Sequence, residues 1–180
     1  MDYMEAFENL EMAPACKERL AAVARVEAQR CWHGSVTGAK SNLGPIVKRF
    51  PRWKLREAEG LWCAAFVYHC CLGAGYVIPV RPKECASCNL AGCGAWEEWA
   101  KSDNRVGWLA PACLPQPGHI VVFDKVFENK AHDHMGIVLG ADKDRIVTAE
   151  GNLNNVSGVM ERPRDGHIRG YISLPDGFVY

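Results

Sequence analysis

The sequence predicts an α+β fold in which N-terminal helices pack on an antiparallel β-sheet. Helix-forming runs lie before Asp103, and short β-branched runs lie after Pro117. That order belongs to α+β architecture rather than to alternating βαβ units. The later runs are separated by Gly, Asp, Asn and Lys, so tight turns join them and neighbours pair antiparallel. A chain of 180 residues with 48% apolar and 23% charged side chains can bury one core of ordinary size, and residues 1–180 read as a single domain.

The elements follow in order. "PACKERLAAVARVEAQRCW" (14–32) carries Leu20, Val23, Ala24, Val26 and Ala28 among charged residues, and Pro14 suits its start. "HGSVTGAKSNLGP" (33–45) is turn-rich and predicts a loop. The next stretch is ambiguous because Pro51 breaks any long helix, and its charges, "KRFPRWKLRE", predict a solvated face. A helix is expected from about Trp62 to Gly73 or Gly75, and a short amphipathic one at 93–103 with Trp96 and Trp99 on one side. Strands are expected in "HIVVFDKVF", "HMGIVLG", "RIVTAEG" and "GHIRGYISL".

Charge excludes some functions. Twenty-one basic and 21 acidic side chains cancel, so no global field draws the chain to nucleic acid or to an anionic membrane. No apolar run approaches the roughly 18 residues of a membrane helix. The N-terminus has neither a basic segment nor an apolar one of secretory type. The expectation is a protein made in the cytoplasm that reaches any extracytoplasmic substrate after release or delivery. The sequence does not address its oligomeric state. The nine cysteines are an odd number, which argues against a disulfide framework and leaves structural thiols, a metal site or a catalytic thiol.

Cys63 falls at the first turn of its predicted helix, on one stripe with Phe66, Val67, Cys70 and Cys71. A cysteine on such a stripe is ordinarily a small core residue. The helix start changes that reading, because free N–H groups and the helix dipole favour a thiolate there. A thiolate needs a base, and the base needs an orienting partner. In "DHMGIVLGADKDRIVTAEGN" a turn centred on Asp142 or Lys143 sets His134 opposite Glu150 or Asn152. Alternation puts all three on one sheet face in either register. Cys63, His134, Glu150 and Asn152 are therefore the candidate catalytic residues, although nothing local brings Cys63 to the hairpin.

Five segments, "WCAAFV", "PGHIVVF", "DHMGIV", "EGN" and "IRGYI", occur in an order and spacing that resemble the CHAP family of cysteine- and histidine-dependent amidohydrolases and peptidases. The resemblance covers about residues 15–174. It implies a papain-like fold, with the nucleophile at a helix N-terminus against the sheet that bears the histidine, and peptidoglycan or a peptide as substrate. Cys63 would be the nucleophile, His134 the base, Glu150 its orienter and Asn152 a source of polar stabilisation. The Cys63 N–H would serve as an oxyanion donor. Nothing in this acyl-transfer scheme requires a metal or a cofactor. The family usually has Asp where this chain has His119, at a strand start outside the four site positions.

Other features are weighed against this reading. Cys85 and Cys88 have metal-ligand spacing but lack a second pair, so Cys85, Cys88 and Cys93 are read as zinc ligands, a disulfide or free thiols. His132 and His134 form an H-x-H pair that could ligate a metal with Glu150, which would leave Cys63 unused. Trp96, Trp99 and Trp108 are core or groove wall, with sugar stacking as the alternative. The competing functions are a wall-binding module with a degenerate site and an amidohydrolase of soluble amides.

Overall fold

The computed structural model describes residues 14–35 and 39–180. The N-terminal stretch read as lacking a secretory signal falls largely outside the described residues, as do 36–38 of the expected loop. Among the described residues no helix is long and apolar enough to cross a membrane.

The helical part begins with α1 (Lys17–Gln29), capped by the Cys16 sulfur, which accepts from the Arg19 N–H at 3.4 Å. The ambiguous stretch resolves into two single-turn helices, α2 (Gly44–Val47) and α3 (Leu55–Ala58), on either side of Pro51. They are followed by α4 (Cys63–Gly73) and α5 (Cys93–Ser102). The strands are β1 (Gly107–Leu109), β2 (Ile120–Phe123), β3 (His134–Ala141), β4 (Arg145–Leu153), β5 (Val156–Pro163) and β6 (Ile168–Ser173). They form one sheet in the order β1-β6-β2-β3-β4-β5 with every pair antiparallel. The expected α+β class is therefore the observed one.

The sheet has two unequal faces. Ile120, Val122, Met135, Ile137, Leu139, Ala149 and Ile172 face the helices and join their core. Val121, Phe123, Val138, Ile146, Ile168 and Tyr171 form a smaller cluster on the other face. Alternation explains the split, since successive side chains point to opposite sides. Packing on the helix side is dense around α4, where Ala64, Ala65 and Tyr68 are buried along with the predicted stripe. α4 is thus apolar all round, as a central helix is, and the single stripe inferred from spacing was too narrow. Fully burying Trp62 or Phe66 contributes roughly 1.5–3 kcal/mol each.

Two strands escaped the sequence reading. β1 is three residues long at one edge. β5 lies at the other edge, has only one buried residue and ends on Pro163, as an edge strand can. The hairpin that leads into β5 turns through Asn154 and Asn155, both with positive φ (49° and 70°), which matches the twist of a type I′ turn.

Candidate active site

The start of α4 is fixed by burial rather than by a cap. Trp62 precedes it, fully buried, with its indole N–H donating to Asn155 Oδ1 at 3.1 Å, and no side chain caps the helix. The first-turn N–H groups therefore stay available to an anion. Gly151 of β4 lies directly beneath: a Cβ there would stand 2.5 Å from Phe66 Cβ and 2.8 Å from the Trp62 ring. This close approach is the tertiary link that local reasoning lacked. It presses the helix start against the end of β4 and brings Cys63 to the hairpin.

On that hairpin Ile137 pairs with Ala149, the register that sets His134 level with Asn152 rather than Glu150. The His134 ring nonetheless engages Glu150, Nε2 to Oε2 at 2.6 Å. The diagonal is open because Gly136 stands between them; a Cβ there would sit 2.7 Å from Glu150 Cγ. Phe123 stacks on the imidazole with ring centroids 5.9 Å apart, and Phe127 meets it edge-on at 4.8 Å. With Nε2 committed to Glu150, Nδ1 is left for Cys63, whose sulfur is near enough to raise the imidazole's affinity for its proton.

Glu150 is completely buried and its carboxylate is saturated with donors. Oε1 accepts from Thr148 Oγ1 at 2.5 Å and Arg162 Nε at 2.6 Å; Oε2 accepts from His134 and from Arg162 Nη2 at 2.7 Å. Arg162 in turn lies 5.1 Å from the Phe123 ring centroid, a cation–π contact on the same floor that holds the histidine. Such a bidentate guanidinium is what makes a buried carboxylate tolerable.

The charges order themselves accordingly. Burial would push the Glu150 carboxyl up, but Arg162 and His134 hold it down at about 2. Burial would likewise depress the imidazole, yet Cys63 and Glu150 raise His134 to about 9. The Cys63 thiol is held well below the ordinary range, foremost by a hydrogen bond with Cys93, against its desolvation, and then by His134 and the Ala64 N–H. By contrast, burial raises Cys70 and Cys71, so thiolate character is selective for the residue at the helix start. These directions favour a thiolate at Cys63 beside an imidazolium at His134.

The structure thus brings Cys63, His134 and Glu150 together and sets Asn152 on the wall of the cleft that Cys63 lines. Asn152 has φ 62° and its amide donates to the Gly60 carbonyl at 2.9 Å. It ties the end of β4 to the segment before Cys63 rather than hydrogen-bonding His134. Sequence reasoning missed Arg162, Thr148 and Cys93. The Asn-Asn turn was the available signal for β5 and hence for Arg162. Cys93 had none, since only tertiary folding sets its sulfur 3.6 Å from that of Cys63.

Cys63 opens into a cleft of about 780 Å³, walled by Trp53 and Arg52 on one side and by Phe127, Lys130 and Asp133 on another. The charge run expected to be a solvated face therefore contributes cleft wall through Arg52 and Trp53, while Phe50 goes into the core. Trp96 and Trp99 are fully buried, which removes them as sugar-stacking surfaces, and Trp108 packs over Gly170. Cys85 binds the Ala95 carbonyl, Cys88 sits on the cleft, and His132 pairs with Glu97 at 2.6 Å. Among the described residues no three His, Cys, Asp or Glu side chains gather as a metal site. His119 Nδ1 accepts the Gln116 N–H at 3.2 Å, so it closes the turn before β2.

A family model for the CHAP domain matches residues 56–152, more than half of the chain. The protein belongs to the CHAP family. Its members are amidohydrolases and peptidases, and the helices on an antiparallel sheet are consistent with the CHAP, papain-like fold. The matched segment contains Cys63, His134, Glu150 and Asn152, whereas Arg162 and all of β5 lie beyond it. No curated protein matches the chain.

Proposed function

We propose that this protein is a cysteine hydrolase that cleaves amide bonds in bacterial peptidoglycan through a thioester. The observation that carries this reading is the Cys63–His134–Glu150 alignment at an uncapped helix start, opening into a cleft large enough for a peptide segment. The Cys63 thiolate attacks the carbonyl carbon, and the oxygen gains negative charge within reach of the Cys63 N–H. The His134 imidazolium gives its proton to the leaving amine, and the acyl group remains on sulfur. The neutral imidazole then takes a proton from water, whose hydroxide displaces the Cys63 thiolate and releases the acid, restoring the starting ion pair. Glu150, fixed by Arg162, holds the ring so that Nδ1 faces the sulfur through both steps. Asn152 shapes the cleft by anchoring Gly60.

Two bonds fit this chemistry, the amide joining glycan to stem peptide and the peptide bonds within the stem. Digestion of purified peptidoglycan by the wild type and by Cys63→Ala, with products resolved by mass spectrometry, tests the reading and names the bond. Wild-type release of stem peptides or of new amine termini, absent in the variant, is expected. An unchanged wall with both proteins, beside turnover of small soluble amides by the wild type alone, would replace peptidoglycan by a soluble substrate.

A further inference from the structure

Cys93 is the first residue of α5, as Cys63 is of α4, and neither helix start is capped by a side chain. The two N-termini meet at their sulfurs, 3.6 Å apart and both buried. A thiol pair at this distance can share one proton, and the surroundings decide which sulfur keeps it. Cys63 faces the His134 imidazolium and the Ala64 N–H, while Cys93 has the Asp133 carboxylate as its charged neighbour. Negative charge is therefore stabilised on Cys63 and opposed on Cys93. A sulfur anion buried beside a neutral thiol gains a donor that water cannot supply there.

We propose that Cys93 is a further catalytic residue, donating its S–H to the Cys63 sulfur and holding the nucleophile as a thiolate. The proposal rests on the hydrolase reading for its purpose but not for its test. In the reaction, the S–H bond is directed at charge present on sulfur in the free enzyme and lost when the thioester forms. Cys93 keeps its proton throughout, so the proton delivered to the leaving amine comes from His134. The S–H donor and the start of α4, through the Ala64 N–H, give the thiolate two sources of positive potential independent of the histidine.

The decisive measurement is the rate of iodoacetamide alkylation at Cys63 against pH, read by peptide mass mapping so that the other cysteines do not interfere. The titratable and charged groups facing the sulfur pair are His134 from β3, Asp133 and Lys130 from the loop before it, and Cys93 itself. In Cys93→Ala, which removes the donor, the alkylation midpoint is expected to rise by about one pH unit. Cys93→Ser keeps an O–H donor and is expected to bring the midpoint most of the way back. Cys93→Val fills the site without a donor and should match the alanine variant, so a packing defect cannot imitate the result. Thermal melts establish that each variant is folded. An unmoved midpoint in the alanine and valine variants overturns the proposal, as does a serine variant shifted as far as alanine. A wild type that alkylates selectively yet leaves peptidoglycan intact would count against the substrate and not against Cys93.

Discussion

Glu150 is a fully buried anion with four donors on two oxygens, so its energy depends on its neighbours rather than on water. Removing one partner of such a pair leaves the other charge uncompensated, at a cost of about 3–5 kcal/mol. Arg162→Met is expected to destabilise the fold by that order and to lower kcat, because the histidine loses the rigid partner that orients it. Arg162→Lys should recover part of the stability, since a lysine supplies charge without the bidentate fork. Denaturant unfolding and turnover on peptidoglycan check both expectations; a variant of wild-type stability would mean that solvent reaches Glu150. Acid also tests the pair. Because the Glu150 carboxyl is depressed from 4.5 to about 2, its stabilisation is present above pH 4.5 and is lost as the pH falls through about 2.

At the scale of elements, the site depends on two places where a strand must approach something closely. Gly136 lets Glu150 lean across β3 toward His134. A methyl there meets Glu150 Cγ at 2.7 Å and the Ala149 carbonyl oxygen at 3.0 Å, and the second of these is backbone that cannot turn aside. Gly136→Ala is expected to cost about 1–3 kcal/mol by overpacking and to reduce kcat more than Arg162→Lys does, because the imidazole itself is displaced. Melting temperature and kcat measured together would separate displacement from simple loss of fold. The same scale shows what was legible in the sequence. α4, α5 and the β3–β4 hairpin announce themselves through spacing and turn residues, and the hairpin register narrows the base and its orienter to three residues. β5 does not, because an edge strand with one solvated face carries Ser, Glu and Arg where a central strand would carry Val and Ile. Arg162 was hidden with it. Cys93 was hidden for another reason: its partner lies on a different helix, and no periodicity within either helix encodes their meeting. Asn152 shared the correct face by alternation, but its positive φ turns it away from the ladder and toward Gly60.

Across the whole molecule, acidic and basic side chains balance, and the site, in the proposed ion-pair state, repeats that balance as an alternating row of Cys63 thiolate, His134 imidazolium, Glu150 carboxylate and Arg162 guanidinium. The row has two titrating members in the working range, and they predict different things. Cys63 is held well below the ordinary thiol value of 9.0, so it is expected to lose its proton before an ordinary thiol does. His134, lifted from 6.5 to about 9, keeps its proton until the pH rises through that value. Hydrolysis requires both, the thiolate to attack and the imidazolium to protonate the leaving amine. Turnover is therefore expected to rise as the thiolate forms, stay level through neutrality, and fall as the pH passes about 9. Alkylation by iodoacetamide needs no proton donor. It should rise with the same acid limb and then remain high above that pH, where hydrolysis declines. Parallel profiles of the two rates on one preparation decide the matter. If alkylation instead climbs through the ordinary thiol range along with turnover, Cys63 rests as a neutral thiol and His134 acts first as a base; if the two diverge only on the alkaline side, the ion pair is the resting state of the enzyme.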